Sequence, residues 1–194
     1  MRKTFSAACC AALLLGLAAC SESVGEKKMT KPVKTETATL AGGCFWGMEE
    51  ILRAQPGVLE TSVGYTGGKT ENPVYEAVKT GTTGHAESIE LKFDPAQISY
   101  GAILDLFFKM HDPTTPNRQG NDVGTQYRSA IFYHSPAQKA EAAAAKARAQ
   151  ASGLWKKPIT TEIVPAARFW PAEEYHQDYL KKHPGGYTCH YIRE

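Results

Sequence analysis

The sequence predicts a two-layer α/β fold of the ferredoxin-like plait type, and three observations support this. Hydrophobic residues make up 42% of the 194 residues, which is enough for the core of one domain. Residues 85–93 alternate, with Ile89, Leu91 and Phe93 on one face, as in a half-buried strand. The segments within 37–134 follow the order β-α-β-β-α-β, which is typical of a plait.

The first half of the predicted plait surrounds Cys44. A short apolar strand at 37–42 ends at two glycines, and the helix after Cys44 stops before Pro56, because proline cannot continue a helix. The strand at 58–65 stops before a second glycine pair, and residues 74–79 allow one further helical turn.

The second half follows the same logic. The alternating strand at 85–93 precedes a helix that Ser99 can cap, and the apolar residues of this helix recur at helical spacing. A long polar loop at 111–126, broken by glycines and prolines, leads to a strand at 127–134. Three further segments are appended to the plait: a helix at 136–152, a strand at 159–164 and a helix at 171–182.

The chain begins with segments that we predict to lie outside this fold. Residues 1–19 carry two positive charges and then an apolar run too short to span a bilayer, which is typical of a secretory signal. The order Leu-Ala-Ala-Cys at 17–20 resembles a bacterial lipobox, in which cleavage precedes a cysteine that receives lipid; a plain secretory signal cut nearby is the alternative. Residues 20–36 are polar and lysine-rich, as in a flexible tether, which leaves 37–194 as the domain.

This signal predicts the location of the protein. We expect an exported chain whose lipid on Cys20 anchors it to a membrane. The serine at position 21 resembles the signal for outer-membrane retention, so in a Gram-negative source the domain would lie at the periplasmic face of the outer membrane.

Processing at this site leaves two thiols in the domain. Of the five cysteines, Cys9 and Cys10 leave with the signal and Cys20 takes the lipid, so that Cys44 and Cys189 remain. Two thiols in an exported protein predict one disulfide, either structural or redox-active.

Cys44 lies between a predicted strand and a predicted helix, within the glycine-rich and aromatic segment 42–47. Free N–H groups and the macrodipole at a helix N-terminus lower the pKa of a thiol, which favours a nucleophile. Free cysteines are also often small buried apolar residues, and the pattern alone leaves both interpretations open.

Glu87 shares a strand face with the apolar residues of 85–93. A buried carboxyl group has a raised pKa and can donate a proton near neutral pH, whereas a carboxylate at the end of the strand would simply reach water. Tyr75 and Tyr127, both beside loop segments, could supply hydroxyl donors to a cleft or serve only in packing.

Cys189 lies in a glycine-bearing tail, 183–190, in which two glycines would let it swing. A nucleophilic cysteine with a mobile second cysteine is the arrangement for sulfenic acid formation followed by disulfide resolution.

Other classes of function receive less support. A formal charge of +2 without a basic stripe does not favour nucleic acid binding, and no Cys-x-x-Cys or His-x-x-x-His spacing favours a metal. A cysteine hydrolase could pair Cys44 with His85 or His176, but this hypothesis gives no reason for a second cysteine in the tail.

Four separate stretches of the chain carry a family resemblance. They are Gly43-Cys44-Phe45-Trp46-Gly47, Gly84-His85-Ala86-Glu87, the run 111–129, and the run 172–180. In this order they resemble the A-type peptide methionine sulfoxide reductases, over residues 37–194. The resemblance implies a mixed-sheet α/β sandwich, which agrees with the plait.

The resemblance also implies the chemistry of the site. Cys44 would attack the sulfoxide sulfur, and Glu87 would protonate the sulfoxide oxygen with help from the hydroxyl groups of Tyr75 and Tyr127. Methionine would leave, and Cys189 would attack the sulfenic acid on Cys44 to form a disulfide.

Substrate binding and recycling follow from the same resemblance. Phe45 and Trp46 would hold the terminal methyl group, and Asp122 would help to orient the substrate. The substrates would be methionine-S-sulfoxide, free or within oxidised proteins. The enzyme would need no bound cofactor, would be reset by a thioredoxin-like dithiol, and would act as a monomer. The competing hypothesis from a different class is a non-catalytic lipoprotein whose Cys44–Cys189 disulfide is a structural staple.

Overall fold

The structure is a computed structural model that describes residues 34–194. The predicted signal, the predicted lipidation site Cys20 and the predicted tether up to residue 33 lie outside the described residues. The strands of the described part are β1 (Glu36–Gly42), β2 (Val58–Thr66), β3 (Ala86–Phe93), β4 (Arg118–Gln119), β5 (Asp122–Val123), β6 (Ser129–Tyr133), β7 (Glu162–Pro165) and β8 (Trp170–Pro171). Its helices are α1 (Phe45–Arg53), α2 (Tyr75–Val78), α3 (Tyr100–Met110), α4 (Pro136–Ala151), α5 (Tyr179–Lys182) and a 3-10 turn at Thr125–Tyr127.

Six strands form one sheet in the order β7-β6-β1-β3-β2-β8, and β4 and β5 form a separate hairpin. The four central strands, β6-β1-β3-β2, are antiparallel neighbours, as expected for the predicted plait. Only β7 is parallel to its neighbour in this sheet, because α4 carries the chain back before β7 pairs with β6. The predicted mixed α/β fold is confirmed.

The main core lies between one face of the sheet and the helices α1, α3 and α4. Leu40 pairs with Ile89 across β1 and β3, so the alternating residues of both strands point to the same side. These inward-facing strand residues pack against Met48 of α1, Phe107 of α3 and Ala142 of α4, which are all fully buried. The helix α3 begins where predicted, since the Ser99 side chain accepts a hydrogen bond from the N–H of residue 102.

The chain after β7 differs from the prediction of a helix at 171–182. Pro171 pairs with β2 as part of β8, and only Tyr179–Lys182 is helical. The backbone of Asp178 is left-handed (φ 53°), so the short helix begins after it and does not continue from the residues before it. The side chain of Gln177 hydrogen bonds to both the N–H and the C=O of Val63. These bonds satisfy backbone groups at the edge of β2, which a helix at 171–182 would leave unpaired.

None of the helices between residues 34 and 194 is both long enough and apolar enough to span a bilayer.

Candidate active site

A small cavity of about 110 Å³ opens where α1 begins, and eight side chains line it. They are Cys44, Phe45, Trp46, Tyr75, Glu87, Asp122, Tyr127 and Tyr187. The structure therefore gathers seven residues that the sequence analysis singled out, from the start of α1, from α2, β3 and the hairpin, and from the 3-10 turn. Tyr187 is an addition that the sequence analysis did not make.

Cys44 is the residue immediately before α1, and it is only 6% exposed. Gly43 makes the turn from β1 possible, because its φ of 104° is a conformation that side chains disfavour. Burial raises the pKa of the Cys44 thiol, the nearby Glu87 raises it further, and the backbone N–H of Trp46 opposes both. The predicted lowering of this pKa by the helix N-terminus is therefore wrong, because desolvation outweighs the helix.

Glu87 is buried, as the alternation of its strand indicates, and it does not reach water at the strand end. It is 2% exposed, and one carboxyl oxygen accepts a hydrogen bond of 3.3 Å from the backbone N–H of Phe45. Burial raises the pKa of Glu87 to about 8, with that hydrogen bond acting in the opposite direction. The carboxyl group is thus protonated at neutral pH and lies beside the start of the nucleophile's helix.

The hydroxyl groups of Tyr75 and Tyr127 complete the polar side of the cavity. Burial raises the pKa of both phenols, and Glu87 raises both pKa values further at a pH high enough to ionise it. Both phenols therefore keep their protons and remain hydrogen-bond donors near Glu87.

Phe45 and Trp46 form the apolar side. Phe45 is 1% exposed, and the Trp46 indole stacks on Tyr179 with ring centroids 3.7 Å apart. The indole N–H of Trp46 also donates a 3.1 Å hydrogen bond to Nδ1 of His176. Sequence reasoning missed this use of His176 and Tyr179, because it depends on the irregular path of the chain after β8.

The histidines of the hydrolase hypothesis have other partners. Nδ1 of His176 accepts from Trp46, and Nδ1 of His85 accepts a 3.1 Å hydrogen bond from the Gly68 N–H. Neither histidine lines the cavity around Cys44. The geometry therefore does not favour a cysteine–histidine hydrolase.

Asp122 joins the cavity to the second cysteine. One of its carboxylate oxygens accepts a 3.1 Å hydrogen bond from the Tyr187 hydroxyl and a 3.6 Å contact from the Cys189 thiol. Burial and Asp122 raise the pKa of Cys189 to about 11, whereas the backbone N–H of Cys44 lowers it. The Cys189 sulfur therefore faces the backbone amide of Cys44, and both cysteines are free thiols in this structure.

The end of the tail is docked on the fold. Its backbone N–H groups at Tyr191 and Arg193 donate to the carbonyls of Met110 and Lys109, at 3.3 and 3.1 Å. The prediction that the tail swings therefore applies only to the residues before Cys189.

In the part of the chain from residue 34 onward, no group of three or more histidine, cysteine or acidic side chains could hold a metal ion.

Comparisons with known proteins show the family to which the chain is related. The family model described as "Peptide methionine sulfoxide reductase" matches residues 36–194. Over 156 residues the chain is 58% identical to "Peptide methionine sulfoxide reductase MsrA" of Mycobacterium sp. (strain MCS), covering 80% of this chain and 89% of that protein.

Two solved structures of yeast Mxr1 resemble the chain in three dimensions. The reduced form from Saccharomyces cerevisiae has a TM-score of 0.79 and 42% identity, covering 84% of this chain and 95% of that one. The complex of Mxr1 with Trx2 has a TM-score of 0.58 and 32% identity, covering 86% and 97%.

Proposed function

The chain belongs to the peptide methionine sulfoxide reductase family, and from this premise we propose how its cavity performs the thiol-dependent reduction of methionine sulfoxide. The observation that carries the proposal is the buried, protonated Glu87 beside Cys44. A sulfoxide oxygen is a poor leaving group until it is protonated, so the site must hold an acid that keeps its proton at neutral pH. Glu87 meets this requirement because burial raises its pKa to about 8.

In the first half-reaction, oxygen passes from the substrate sulfur to the sulfur of Cys44. The substrate methyl group packs against Phe45 and Trp46, and its oxygen faces Glu87 and the two tyrosine hydroxyls. Glu87 gives its proton to the oxygen while the Cys44 sulfur attacks the sulfoxide sulfur, and the thiol proton of Cys44 restores Glu87. The S–S bond formed in this attack then breaks as the hydroxyl group moves from the substrate sulfur to the Cys44 sulfur. Methionine leaves reduced by two electrons, and Cys44 is oxidised to a sulfenic acid.

In the second half-reaction, Cys189 attacks the sulfenic acid and forms a Cys44–Cys189 disulfide with release of water. A thioredoxin-like dithiol then reduces the disulfide. The structure of the yeast relative Mxr1 in complex with Trx2 supports this choice of reductant. Since one chain supplies all eight lining residues and Cys189, we propose that the enzyme acts as a monomer.

The substrate is the S epimer of methionine sulfoxide, free or within oxidised proteins. The test is turnover of the two separated epimers with dithiothreitol as reductant. We expect turnover of the S epimer alone; turnover of the R epimer alone, or of neither, would contradict the proposal.

We further propose that the enzyme is a lipoprotein of the bacterial envelope that repairs oxidised proteins there. The support is the charged start of the chain, the short apolar run and the Leu-Ala-Ala-Cys order at 17–20. Mass spectrometry of the mature N-terminus tests this. Acylated Cys20 at the first position is expected, and an N-terminus at any other residue would refute the anchor.

A further inference from the structure

His190 follows Cys189 directly, and its ring is buried against the nucleophile's turn. The side chain is 6% exposed, and Nε2 lies 2.8 Å from the carbonyl oxygen of Gly42. A carbonyl only accepts hydrogen bonds, so Nε2 carries the hydrogen in this contact. In a neutral imidazole the other nitrogen, Nδ1, then holds a free lone pair.

The lone pair of Nδ1 is directed at the second cysteine. Nδ1 lies 3.6 Å from Sγ of Cys189 and makes no other hydrogen bond within residues 34–194. The backbone N–H of His190 donates a 3.1 Å hydrogen bond to the Thr188 hydroxyl, which fixes the backbone on either side of the cysteine.

The surroundings keep the ring neutral. Burial lowers the pKa of His190 to about 4, and the positive charge of Arg193 adds to this effect. The ring of His111 also faces it, and burial of that ring holds its pKa low as well. Asp122, an acidic group beside Cys189, contacts the thiol of that cysteine.

The glycine at position 47 makes room for this ring and for the Thr188 side chain. A Cβ atom at Gly47 would lie 2.7 Å from Nδ1 of His190 and even closer to the Thr188 hydroxyl oxygen. Any side chain at Gly47 would therefore displace both the Thr188 hydroxyl and the imidazole. The segment that carries Cys44 thus also holds His190 in place.

We propose that His190 is a catalytic proton relay of the second half-reaction, in which Nδ1 receives the thiol proton of Cys189 and passes it to the oxygen that leaves Cys44. This inference rests on the proposed function. The Cys189 sulfur attacks the sulfenic sulfur of Cys44, the S–S bond forms and the S–O bond breaks. In the same step the leaving oxygen takes the proton from Nδ1, because a ring of such low basicity does not keep it, so water is released and the neutral imidazole is restored. The sulfenic acid is the only oxidant that the step needs.

Asp122 is the other acceptor within 3.6 Å of this thiol, and it is less suited to the task. Its carboxylate oxygen already accepts from the Tyr187 hydroxyl. Its negative charge also raises the pKa of Cys189 and so opposes formation of the thiolate. The imidazole carries no charge before the transfer and therefore does not repel the thiolate.

The test separates the two half-reactions in one experiment. Reduced protein is mixed with methionine-S-sulfoxide without a recycling reductant, and methionine and free thiols are counted in quenched samples. The variant His190→Gln keeps an N–H donor for the Gly42 carbonyl but removes the basic nitrogen. We expect wild-type formation of one methionine per molecule and disulfide formation slowed by about 10²-fold, the lower range for general acid–base catalysis.

A pH series distinguishes two causes of slow disulfide formation in His190→Gln: loss of the proton-accepting nitrogen, and displacement of Cys189. Wild-type disulfide formation should be nearly constant from about pH 6 to 8, because a neutral imidazole is present throughout. In His190→Gln it should rise about tenfold per pH unit, because the thiol must then ionise to solvent. Disulfide formation at the wild-type rate, or slowed with the wild-type pH dependence, would overturn the proposal.

Two controls complete the experiment. The exposed His134, at the far end of β6, gives the matched variant His134→Gln, which should behave as wild type. Failure of the wild-type protein to form methionine would refute the proposed function itself. Normal methionine formation with normal resolution in His190→Gln would refute only the role of His190.

Discussion

At the scale of single residues, burial keeps the two proposed reacting groups neutral. It raises the pKa values of both Cys44 and Glu87, so both groups hold their protons at neutral pH. A neutral thiol is a poor nucleophile and a poor target for small oxidants. We infer that the protonated sulfoxide, rather than a preformed thiolate, drives the attack.

The first prediction concerns the proton donor. Glu87→Gln keeps the shape of the side chain and an acceptor for the Phe45 N–H, but it cannot give up a proton. We expect methionine formation in a single turnover to slow by about 10²–10⁴-fold, the usual contribution of general acid catalysis. Rapid-quench measurement of methionine provides the test.

The same strand offers a matched control. Glu90 lies on the opposite face of β3 and is partly exposed, with the Thr39 hydroxyl 3.5 Å from its carboxylate. Glu90→Gln should leave the first step unchanged. A wild-type rate in Glu87→Gln would show that another group protonates the oxygen.

At the scale of elements, the start of α1 has two functions: it carries the nucleophile and it receives the tail. The glycine at position 47 is inside the helix, where glycine normally costs about 0.5–1 kcal/mol relative to alanine. The close approach of the Thr188 and His190 side chains explains why a glycine occupies this position despite that cost.

Gly47→Ala should therefore improve the helix and harm the docking of the tail. We expect faster amide hydrogen exchange at Tyr191 and Arg193, whose N–H groups bond to α3, and slower disulfide formation. Nuclear magnetic resonance of the reduced protein measures the exchange. Unchanged protection of both amides from exchange would show that an alanine at position 47 does not displace the His190 ring.

Sequence patterns predict the elements that local periodicity determines. The alternation in β3 indicates the buried position of Glu87, and the serine cap indicates the start of α3. The segment after β8 is different, because Gln177 and Asp178 take conformations set by the distant strand β2. The contacts of His176 and Tyr179 with Trp46 depend on that segment, so no local pattern could reveal them.

At the scale of the whole molecule, burial of neutral histidines links stability to pH. His190 has a folded pKa of about 4, below the ordinary value of 6.5. The unfolded chain therefore binds a proton below pH 6.5 that the folded chain does not bind. The stability from this group is present above pH 6.5 and is lost as the pH falls toward 4.

Replacing this histidine should reduce the loss of stability in acid. Between pH 7 and pH 5, His190→Gln should lose roughly 2 kcal/mol less free energy of unfolding than the wild type, since one proton linkage is removed. Urea denaturation at the two pH values measures the difference. Equal losses in the two proteins would show that the ring already binds a proton in the folded state.

The central claim is that Cys44 takes the oxygen of the sulfoxide and that Cys189 only resolves the product. The most direct measurement is a single turnover of Cys189→Ser with methionine-S-sulfoxide and a sulfenic acid trap, followed by mass spectrometry. We predict one methionine per molecule and one trapped sulfenic acid on Cys44, with no methionine from Cys44→Ser. Absence of methionine, or a trapped adduct on any other residue, would contradict the account.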